Sequence, residues 1–308
     1  MIKKTKSGSH DMDERHDRKA RGRLSYWLHG LAVISLVVAL MLMGINIYGL
    51  TQPIRKPGLG VTDHDQLRFI PEQVWSYEDS LTAINGLNAV SPRSALAEAA
   101  NRVVHQSLVH PDWEEIDPVE YRQLVPIWEN YFLWGIGMFS GLPQFERYHY
   151  ADYERNIKRG IGICGDASTI LSSILDQHQI PNRIVSFGGH VIVEYEQEDG
   201  KSQLLDPDFG IALVIPLEGL LERPEQVRAR YFAAGYSDAE VDDLISIYQT
   251  AFALFDNTYH FMTLRYIFEK VSYIAKWVFP LLLILLFLCY LAWFRPNSGS
   301  TTETRNDD

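Results

Sequence analysis

The chain has 308 residues, of which 46% are hydrophobic, and a formal net charge of −11 at neutral pH. This length is enough for one core of ordinary size with attached segments. Between Pro57 and Lys270 the chain carries 15 Lys and Arg against 32 Asp and Glu, a net charge of −17. Such an acidic surface repels phosphate polymers and anionic headgroups, so we exclude nucleic acid as an expected partner.

The N-terminal part of the sequence predicts a charged tail followed by a membrane-spanning helix. Residues 1–23 contain eight Lys and Arg against four Asp and Glu, and we expect a disordered cytoplasmic tail. From Leu24 to Ile54 the chain has no Asp, Glu, Lys or Arg, and residues 24–50 are long enough to cross a bilayer core of ~30 Å. A cleaved signal peptide usually has an apolar run of ~7–15 residues followed by an A-x-A-like cleavage site. This apolar run is longer and no such site follows it, so a cleaved signal peptide is disfavoured.

A second apolar stretch, WVFPLLLILLFLCYLAWF, lies near the C-terminus and predicts a second spanning helix at residues 273–295. Pro280 is expected in its first turn, where a missing N–H costs little. Residues 296–308 follow as a second tail. Basic residues beside the first span usually hold that end in the cytoplasm, so both termini are predicted cytoplasmic and the intervening domain extracytoplasmic, or periplasmic, at a cell (inner) membrane.

Between the spans, residues 51–92 are typical of a linker and the start of an outer domain. Residues 93–272 are predicted to form that outer domain, which has a helical C-terminal part. The stretch SPRSALAEAANRVVHQSLVH predicts a helix with Ser94 as its N-cap. The apolar run from Tyr131 to Leu142 is too short to span a bilayer. We expect it to be a buried core helix rather than a segment that dips into the membrane.

The stretch GICGDASTILSSILDQHQIP places one cysteine, Cys164, where a helix is predicted to begin. The other cysteine, Cys289, lies in the second apolar stretch, so the two cannot pair. A helix N-terminus favours a thiolate through its unpaired N–H groups and dipole. Gly162 and Gly165 are expected to leave room for a substrate backbone, and the Cys164 N–H to face a developing oxyanion. A lone buried cysteine is otherwise usually inert packing.

Two strand-like runs follow, RIVSFGGHVIVEYEQ with His190 and SQLLDPDFGIALVIP with Asp206. Alternation in the first predicts a half-buried strand, and the EDGK between them predicts a tight turn. A two-residue loop would point His190 and Asp206 to opposite faces of the sheet. A three-residue loop at 198–200 would set Asp206 opposite Ile192, with His190 as its diagonal neighbour on the same face. A hydrogen bond between the two residues therefore requires the odd loop or a bulge.

The sequence GICGDASTILSSILDQHQIPNRIV, followed by GGHVIVEY and LLDPDFG, resembles the transglutaminase-like superfamily, whose fold is papain-related. The resemblance covers about Tyr153 to Pro216. It implies an α+β core in which the helix bearing the cysteine packs on an antiparallel sheet bearing the histidine and the aspartate. It also implies that Cys164 is the nucleophile, His190 the base and Asp206 the orienting acid. The chain departs from the family pattern at Ile192, where an aromatic residue is frequent.

The same resemblance implies an upstream aromatic donor to the oxyanion, for which Trp128 and Trp134 are the candidates. Gly189 joins the glycines expected beside the substrate. Asp166 and Asp208 are expected to be a helix N-terminal carboxylate and a turn or rim acid. The other histidines between the spans show no H-E-x-x-H or similar spacing, so no metal or cofactor is expected.

The sequence thus predicts an α+β protein with a transglutaminase-like core flanked by two transmembrane helices. The leading hypothesis is a membrane-tethered thiol enzyme acting on amides, either a peptidase or amidase or an acyl transferase, with a protein, peptide or envelope polymer as substrate. The alternative is a non-catalytic scaffold that binds a peptide or cell-envelope glycan, against which the complete Cys, His and Asp trio counts. A thiol-exchange protein is disfavoured because a resolving cysteine is lacking.

Overall fold

The computed structural model describes residues 8–61, 67–69 and 74–293. This part of the chain is α+β and divides into two compact units. One unit contains the described residues up to Leu50 and from Ile274 onward, and the other contains the described residues of Thr51–Tyr273.

The described residues form twelve α-helices and seven strands. The helices are α1 Gly8–Gly49, α2 Tyr77–Gly86, α3 Arg93–Ser107, α4 Tyr131–Phe139, α5 Pro143–Glu146, α6 Tyr153–Arg159, α7 Cys164–Gln177, α8 Gly219–Glu222, α9 Pro224–Ala233, α10 Asp238–Tyr248, α11 Thr258–Phe261 and α12 Thr263–Trp293. The strands are β1 Leu67–Phe69, β2 His110–Pro111, β3 Asn182–Phe187, β4 Val191–Glu196, β5 Ser202–Asp206, β6 Ile211–Leu213 and β7 Phe252–Phe255.

Helices α1 and α12 are each long and apolar enough to cross a membrane. Only 11% of the most apolar 18-residue stretch of each helix is buried, whereas the core helix of a soluble protein would be mostly buried. Helix α1 begins at Gly8, so it includes most of the segment predicted to be a disordered tail. That segment contains no proline to stop the helix, and a nucleated helix extends at little cost.

Pro280 lies inside α12 rather than in a first turn, because the helix begins well before it, at Thr263. An internal proline lacks the N–H that would donate to the carbonyl four residues earlier, here that of Lys276. Asn46 of α1 donates its Nδ2–H to this carbonyl at 2.6 Å, and the Asn46 side chain is buried. A hydrogen bond between the two helices therefore replaces the one that the proline removes.

The second unit is built on a five-stranded antiparallel sheet with the strand order β6-β5-β4-β3-β7. Each of the two strand-like runs of the sequence folds as a hairpin, β3 with β4 and β5 with β6. The first hairpin turns at Gly188 and Gly189, and Gly189 has φ +131°, a conformation that side chains rarely adopt. The prediction of a half-buried strand is wrong for β4, which is buried from Val191 to Tyr195, whereas β3 keeps partly exposed positions.

Strand β4 is buried on both sides because helices cover both faces of the sheet. On one face, Val193 and Leu205 pack against apolar side chains of α3 and α7. On the other face, Ile192 and Leu204 pack against α8, α9 and α10. The sheet therefore forms the middle layer of an α–β–α arrangement, in which α7 is on one side and α9 and α10 are on the other.

One prediction before the sheet needs correction. Helix α3 begins directly after Pro92, so Ser94 lies within its first turn and does not cap it. The described residues of the segment predicted as a linker and the start of the outer domain belong to the second unit, and Ile54 and Leu59 near its start are 2% and 6% exposed. Burial of these apolar side chains holds a stretch that its glycines and prolines alone would leave flexible.

Helix α4 buries less than a core helix would. Only Leu133 and Gly137 are buried, and Phe139 at its end is 77% exposed. Gly137 allows the close approach of α5, since a Cβ there would lie 2.6 Å from the carbonyl oxygen of Phe145. The apolar run from Tyr131 is therefore a surface helix with one packed face, which corrects the prediction of a buried one.

Candidate active site

Cys164 is the first residue of α7, as predicted, and its side chain is partly exposed. Ile163 before it has extended backbone and is the N-cap. The carboxylate of Asp166, in the first turn, accepts the Ile163 N–H at 3.1 Å. The thiol thus lies beside the unpaired N–H groups and positive end of the helix dipole, where a thiolate is favoured.

The β4–β5 hairpin has a three-residue loop, one of the two arrangements that a hydrogen bond between His190 and Asp206 was expected to require. Strand β5 pairs with β4 in the register that sets Asp206 across from Ile192. The loop ends at Gly200, whose φ of +79° is left-handed. His190 immediately precedes β4 rather than lying within a strand, and its carbonyl accepts the N–H of Phe187 at 2.8 Å across the preceding turn. This register brings the His190 and Asp206 side chains to the same face.

His190 and Asp206 are in direct contact, with 2.8 Å between Nε2 and Oδ2. Their side chains are 4% and 0% exposed. The sequence indicated that this hydrogen bond requires a loop with an odd number of residues or a bulge. The structure has both the three-residue loop and the hydrogen bond. Because Nε2 faces the carboxylate, Nδ1 is the ring nitrogen available to a proton from the thiol.

The pKa of His190 is raised well above its ordinary value of 6.5. Burial by itself lowers this pKa, but the negative charge of Asp206 and its hydrogen bond raise it, followed by a hydrogen bond with Cys164 and the charge of that group. Cys164 is therefore close enough to the imidazole to affect its pKa. An imidazolium that persists near neutral pH beside a thiol is the arrangement in which a thiolate–imidazolium pair forms.

The carboxylate of Asp206 accepts further hydrogen bonds on both oxygens. Tyr231 and Tyr248 direct their hydroxyls to Oδ2 at 2.7 Å and 3.2 Å. The backbone N–H groups of Asp208 and Phe209 donate to Oδ1 at 3.1 Å and 3.3 Å. The sequence prediction missed both tyrosines, which lie 25 and 42 residues after Asp206 with no motif spacing to mark them.

Aromatic rings enclose the His190 imidazole. The Phe209 ring meets it at a centroid distance of 5.6 Å and an interplanar angle of 73°, and the Tyr248 ring at 6.0 Å and 60°. These edge-to-face contacts exclude water from the histidine and the carboxylate. Electrostatic interactions are stronger in such a dry surrounding than in water, which increases the effect of Asp206 on His190.

A second imidazole–carboxylate pair supports the start of α7. His149 Nδ1 lies 2.8 Å from Asp166 Oδ2, Arg159 Nη2 lies 3.8 Å from Oδ1, and the Trp113 ring stacks on His149 at 4.3 Å. Burial raises the pKa of Asp166, but the charge and hydrogen bond of His149 and the charge of Arg159 bring it below its ordinary 3.8. Asp166 is a helix N-terminal carboxylate, as predicted, whereas its partner His149 was not predicted.

Asp208 lies in the turn after β5, as predicted, but it is buried and is not a rim acid. Its Oδ1 lies 2.6 Å from His110 Nδ1, and its carbonyl oxygen lies 3.0 Å from His105 Nδ1. Burial, followed by the charge of His110, lowers the pKa of His105. Asp208 thus ties the turn that presents Asp206 to the buried His110 and the partly buried His105, which hold that turn in place.

The three candidate glycines have different roles. A Cβ on Gly162 would lie 2.8 Å from Cβ of Asp166, so this glycine makes room for a side chain of the same protein and not for a substrate. A Cβ on Gly165 would have Phe261 Cε1 at 4.0 Å as its nearest neighbour, so space beside Cys164 is open there. Gly189 is exposed and serves the β3–β4 turn.

The two candidate tryptophans make their described contacts away from Cys164, His190 and Asp206, the three residues of the candidate triad. Trp128 packs against an apolar cluster that contains Val125 and Leu133. Trp134 meets Phe139 edge to face at 5.7 Å. These contacts give neither indole a place beside Cys164, and a role as oxyanion donor stays a prediction for both.

Within the described residues, no group of three or more His, Cys, Asp or Glu side chains is arranged to hold a metal ion. Comparison with known proteins finds no protein-family model, no curated protein and no solved structure that matches the chain.

Proposed function

We propose that the protein is a membrane-anchored, extracytoplasmic cysteine enzyme that cleaves amides or transfers their acyl groups. The observation that carries this proposal is the 2.8 Å contact of His190 with Asp206 beside a thiol at a helix N-terminus. A helix packed on an antiparallel sheet also agrees with the papain-related, transglutaminase-like core that the sequence resembles. Its substrate is a protein, a peptide or an envelope polymer.

In the proposed reaction, Cys164 gives its proton to Nδ1 of His190, and its sulfur attacks the carbonyl carbon of the amide. The C–N bond then breaks, His190 returns the proton to the leaving amine, and a thioester remains on Cys164. Asp206 holds the ring and stabilises the imidazolium without itself taking the proton. Attack on the thioester by water gives hydrolysis, and attack by an amine gives transfer.

In the proposed reaction, the backbone N–H of Cys164 donates to the oxyanion of the tetrahedral intermediate, and its position in the first turn of α7 supports this role. Gly165 supports this role because the space beside it is open. Helices α1 and α12 support membrane anchoring. The eight basic residues before Leu24 favour cytoplasmic termini, which would put the triad on the outer side.

The test is the pH dependence of Cys164 alkylation in the full-length chain, with Cys289→Ala removing the other thiol. Iodoacetamide should label Cys164 at about pH 6, where an ordinary thiol with a pKa of ~8.5 is nearly all protonated. His190→Ala should slow labelling at that pH, because the imidazolium partner is lost, and spare the rate at about pH 9. Intact-mass spectrometry measures both rates.

Cys164→Ser in the same background is the control, and it should fold and take no label. A wild-type profile with its midpoint near the free-thiol value of ~8.5, unchanged by His190→Ala, would indicate an unactivated thiol and contradict the proposal. That result would favour the non-catalytic binding scaffold.

A further inference from the structure

Two tyrosines from different helices converge on the oxygen of Asp206 that also contacts His190. Tyr231 comes from α9 and Tyr248 from α10, and both are almost completely buried. Their hydroxyl oxygens lie 2.7 Å and 3.2 Å from Oδ2 of Asp206 and 2.7 Å from each other. Oδ2 thus lies within hydrogen-bonding distance of the imidazole and two phenols.

Both phenols keep their protons near neutral pH. The pKa of Tyr231 and that of Tyr248 are raised well above 10.0, first by burial and next by the negative charge of Asp206. A protonated phenol donates one hydrogen bond. Tyr231, at the shorter distance, donates to Asp206, and Tyr248 donates to Asp206 or to the Tyr231 oxygen.

We propose that Tyr231 and Tyr248 are positioning residues of the triad, which orient the Asp206 carboxylate toward His190 and disperse its negative charge. This inference rests on the proposed function, because it concerns how the Cys164 thiolate is maintained. The thiolate, imidazolium and carboxylate together carry one net negative charge. Hydrogen bonds from the phenols stabilise that buried charge and let the charged state persist to lower pH.

Packing alone does not require this arrangement. A buried tyrosine needs one partner for its hydroxyl, and a backbone carbonyl suffices. Tyr236 belongs to the same aromatic cluster and shows this simpler solution, since its hydroxyl donates to the carbonyl of Phe209 at 2.7 Å. Tyr231 and Tyr248 instead direct their hydroxyls to the carboxylate that contacts the histidine. Tyr236 therefore supplies a matched control.

Other titratable groups near this carboxylate have to be kept constant. Cys164 interacts with His190 from the side of α7, and Asp208 follows Asp206 in the turn. His105 and His110 contact Asp208 from α3 and β2. Tyrosine-to-phenylalanine changes retain all these groups and the ring packing, so a change in pH dependence reports the loss of the hydroxyls.

The experiment compares alkylation profiles of the full-length Cys289→Ala protein carrying Tyr231→Phe, Tyr248→Phe, both changes, or Tyr236→Phe. The double variant should be labelled about tenfold more slowly at about pH 6. This is equivalent to a shift of about one pH unit in the acid limb of the profile, the part in which the labelling rate falls as the pH falls. Each single variant should show part of this effect. All variants should react as wild type at about pH 9, where a thiolate forms unaided, and Tyr236→Phe should match wild type throughout.

If a phenylalanine variant fails to fold, 3-fluorotyrosine at position 231 provides a second measurement. It retains the ring and the hydroxyl but is the more acidic donor, so the acid limb should move to lower pH. A double variant whose profile superimposes on that of wild type would overturn the inference, as would an acid limb unmoved by 3-fluorotyrosine.

These outcomes are separate from a failure of the proposed function. Activated labelling in wild type that is lost in His190→Ala but unaffected by both phenylalanine changes overturns only the role of the tyrosines. An ordinary thiol profile in wild type itself overturns the proposed function, and the inference with it.

Discussion

His190 is buried, yet the pKa of its imidazole is raised and not lowered. Burial acts against the charged ring, and Asp206 outweighs it from 2.8 Å away. A charge pair of this kind is worth more in a dry surrounding than at the surface, and leaving one partner alone is costly. The stability of the protein should therefore depend on the protonation of this one residue.

Measuring the free energy of unfolding at different pH values tests whether stability depends on the protonation of His190. The pKa of His190 in the folded protein lies well above 6.5, so its protonated ring contributes stability that is fully present below the unfolded value. That contribution is lost as the pH rises through the folded value. The difference in free energy of unfolding between wild type and His190→Gln should be larger at about pH 6 than at about pH 9. Denaturant titration measures it, and a difference that grows with pH would be the contrary result.

Gly162 and Gly165 flank Cys164 closely in sequence but should respond oppositely to a methyl group. Gly162→Ala places a Cβ 2.8 Å from Cβ of Asp166 and should destabilise the protein by about 1–3 kcal/mol. Gly165→Ala meets its nearest neighbour at 4.0 Å and should be neutral or slightly stabilising, because alanine favours helix. Thermal unfolding of the two variants measures both changes in stability. An equal loss of stability in Gly162→Ala and Gly165→Ala would contradict the roles assigned to the two glycines.

At the scale of elements, the β4–β5 hairpin decides which face of the sheet carries Asp206. The three-residue loop places it with Ile192 and Leu204, on the face covered by α9 and α10. Side chains alternate along a strand, so a slip of one residue would move Asp206 to the face covered by α7. That face is an apolar cluster in which an unpaired carboxylate would be buried at high cost.

At the scale of the whole molecule, the second unit carries the site and the two long helices are proposed to fix it to a membrane. Within the first unit, Asn46 compensates for Pro280 by donating to the Lys276 carbonyl at 2.6 Å. In an apolar surrounding, an unsatisfied carbonyl is costly, and a side-chain amide from a neighbouring helix is one of the few available donors.

Asn46→Leu should weaken the pairing of α1 and α12 by about 0.6 kcal/mol, with an upper limit of ~1.7. In a Pro280→Leu background the cost should be smaller, because residue 280 regains the N–H that bonds the Lys276 carbonyl. Denaturation of the full chain in lipid bicelles, as a double-mutant cycle, measures the coupling. Equal costs of Asn46→Leu in both backgrounds would show that the proline and the asparagine act independently.

The two-span arrangement also predicts topology. The eight basic residues before Leu24 favour cytoplasmic termini and an external second unit. Reporter fusions made after Arg55 and after Asn297 should therefore report opposite sides of the membrane. The same side for both fusions would remove the two-span arrangement and the export of the triad.

The sequence by itself determined the features that depend on near neighbours in the chain. Helical periodicity after Cys164 predicted where α7 begins, and the apolar lengths predicted two long helices. The condition on the β4–β5 loop followed from the alternation of side chains, and the structure meets it at Gly200. Local patterning was less reliable at Ser94 and Pro280, where the helix starts depend on how far flanking turns extend.

Only the tertiary structure decided which distant side chains complete the site. Tyr231 and Tyr248 reach Asp206 because α9 and α10 pack on the sheet face to which its side chain points. His149 reaches Asp166 from the chain before α6. A buried polar group must find its partner among whatever residues packing brings within about 3 Å. That choice depends on the relative placement of whole elements, on which the spacing of residues along the chain carries no information.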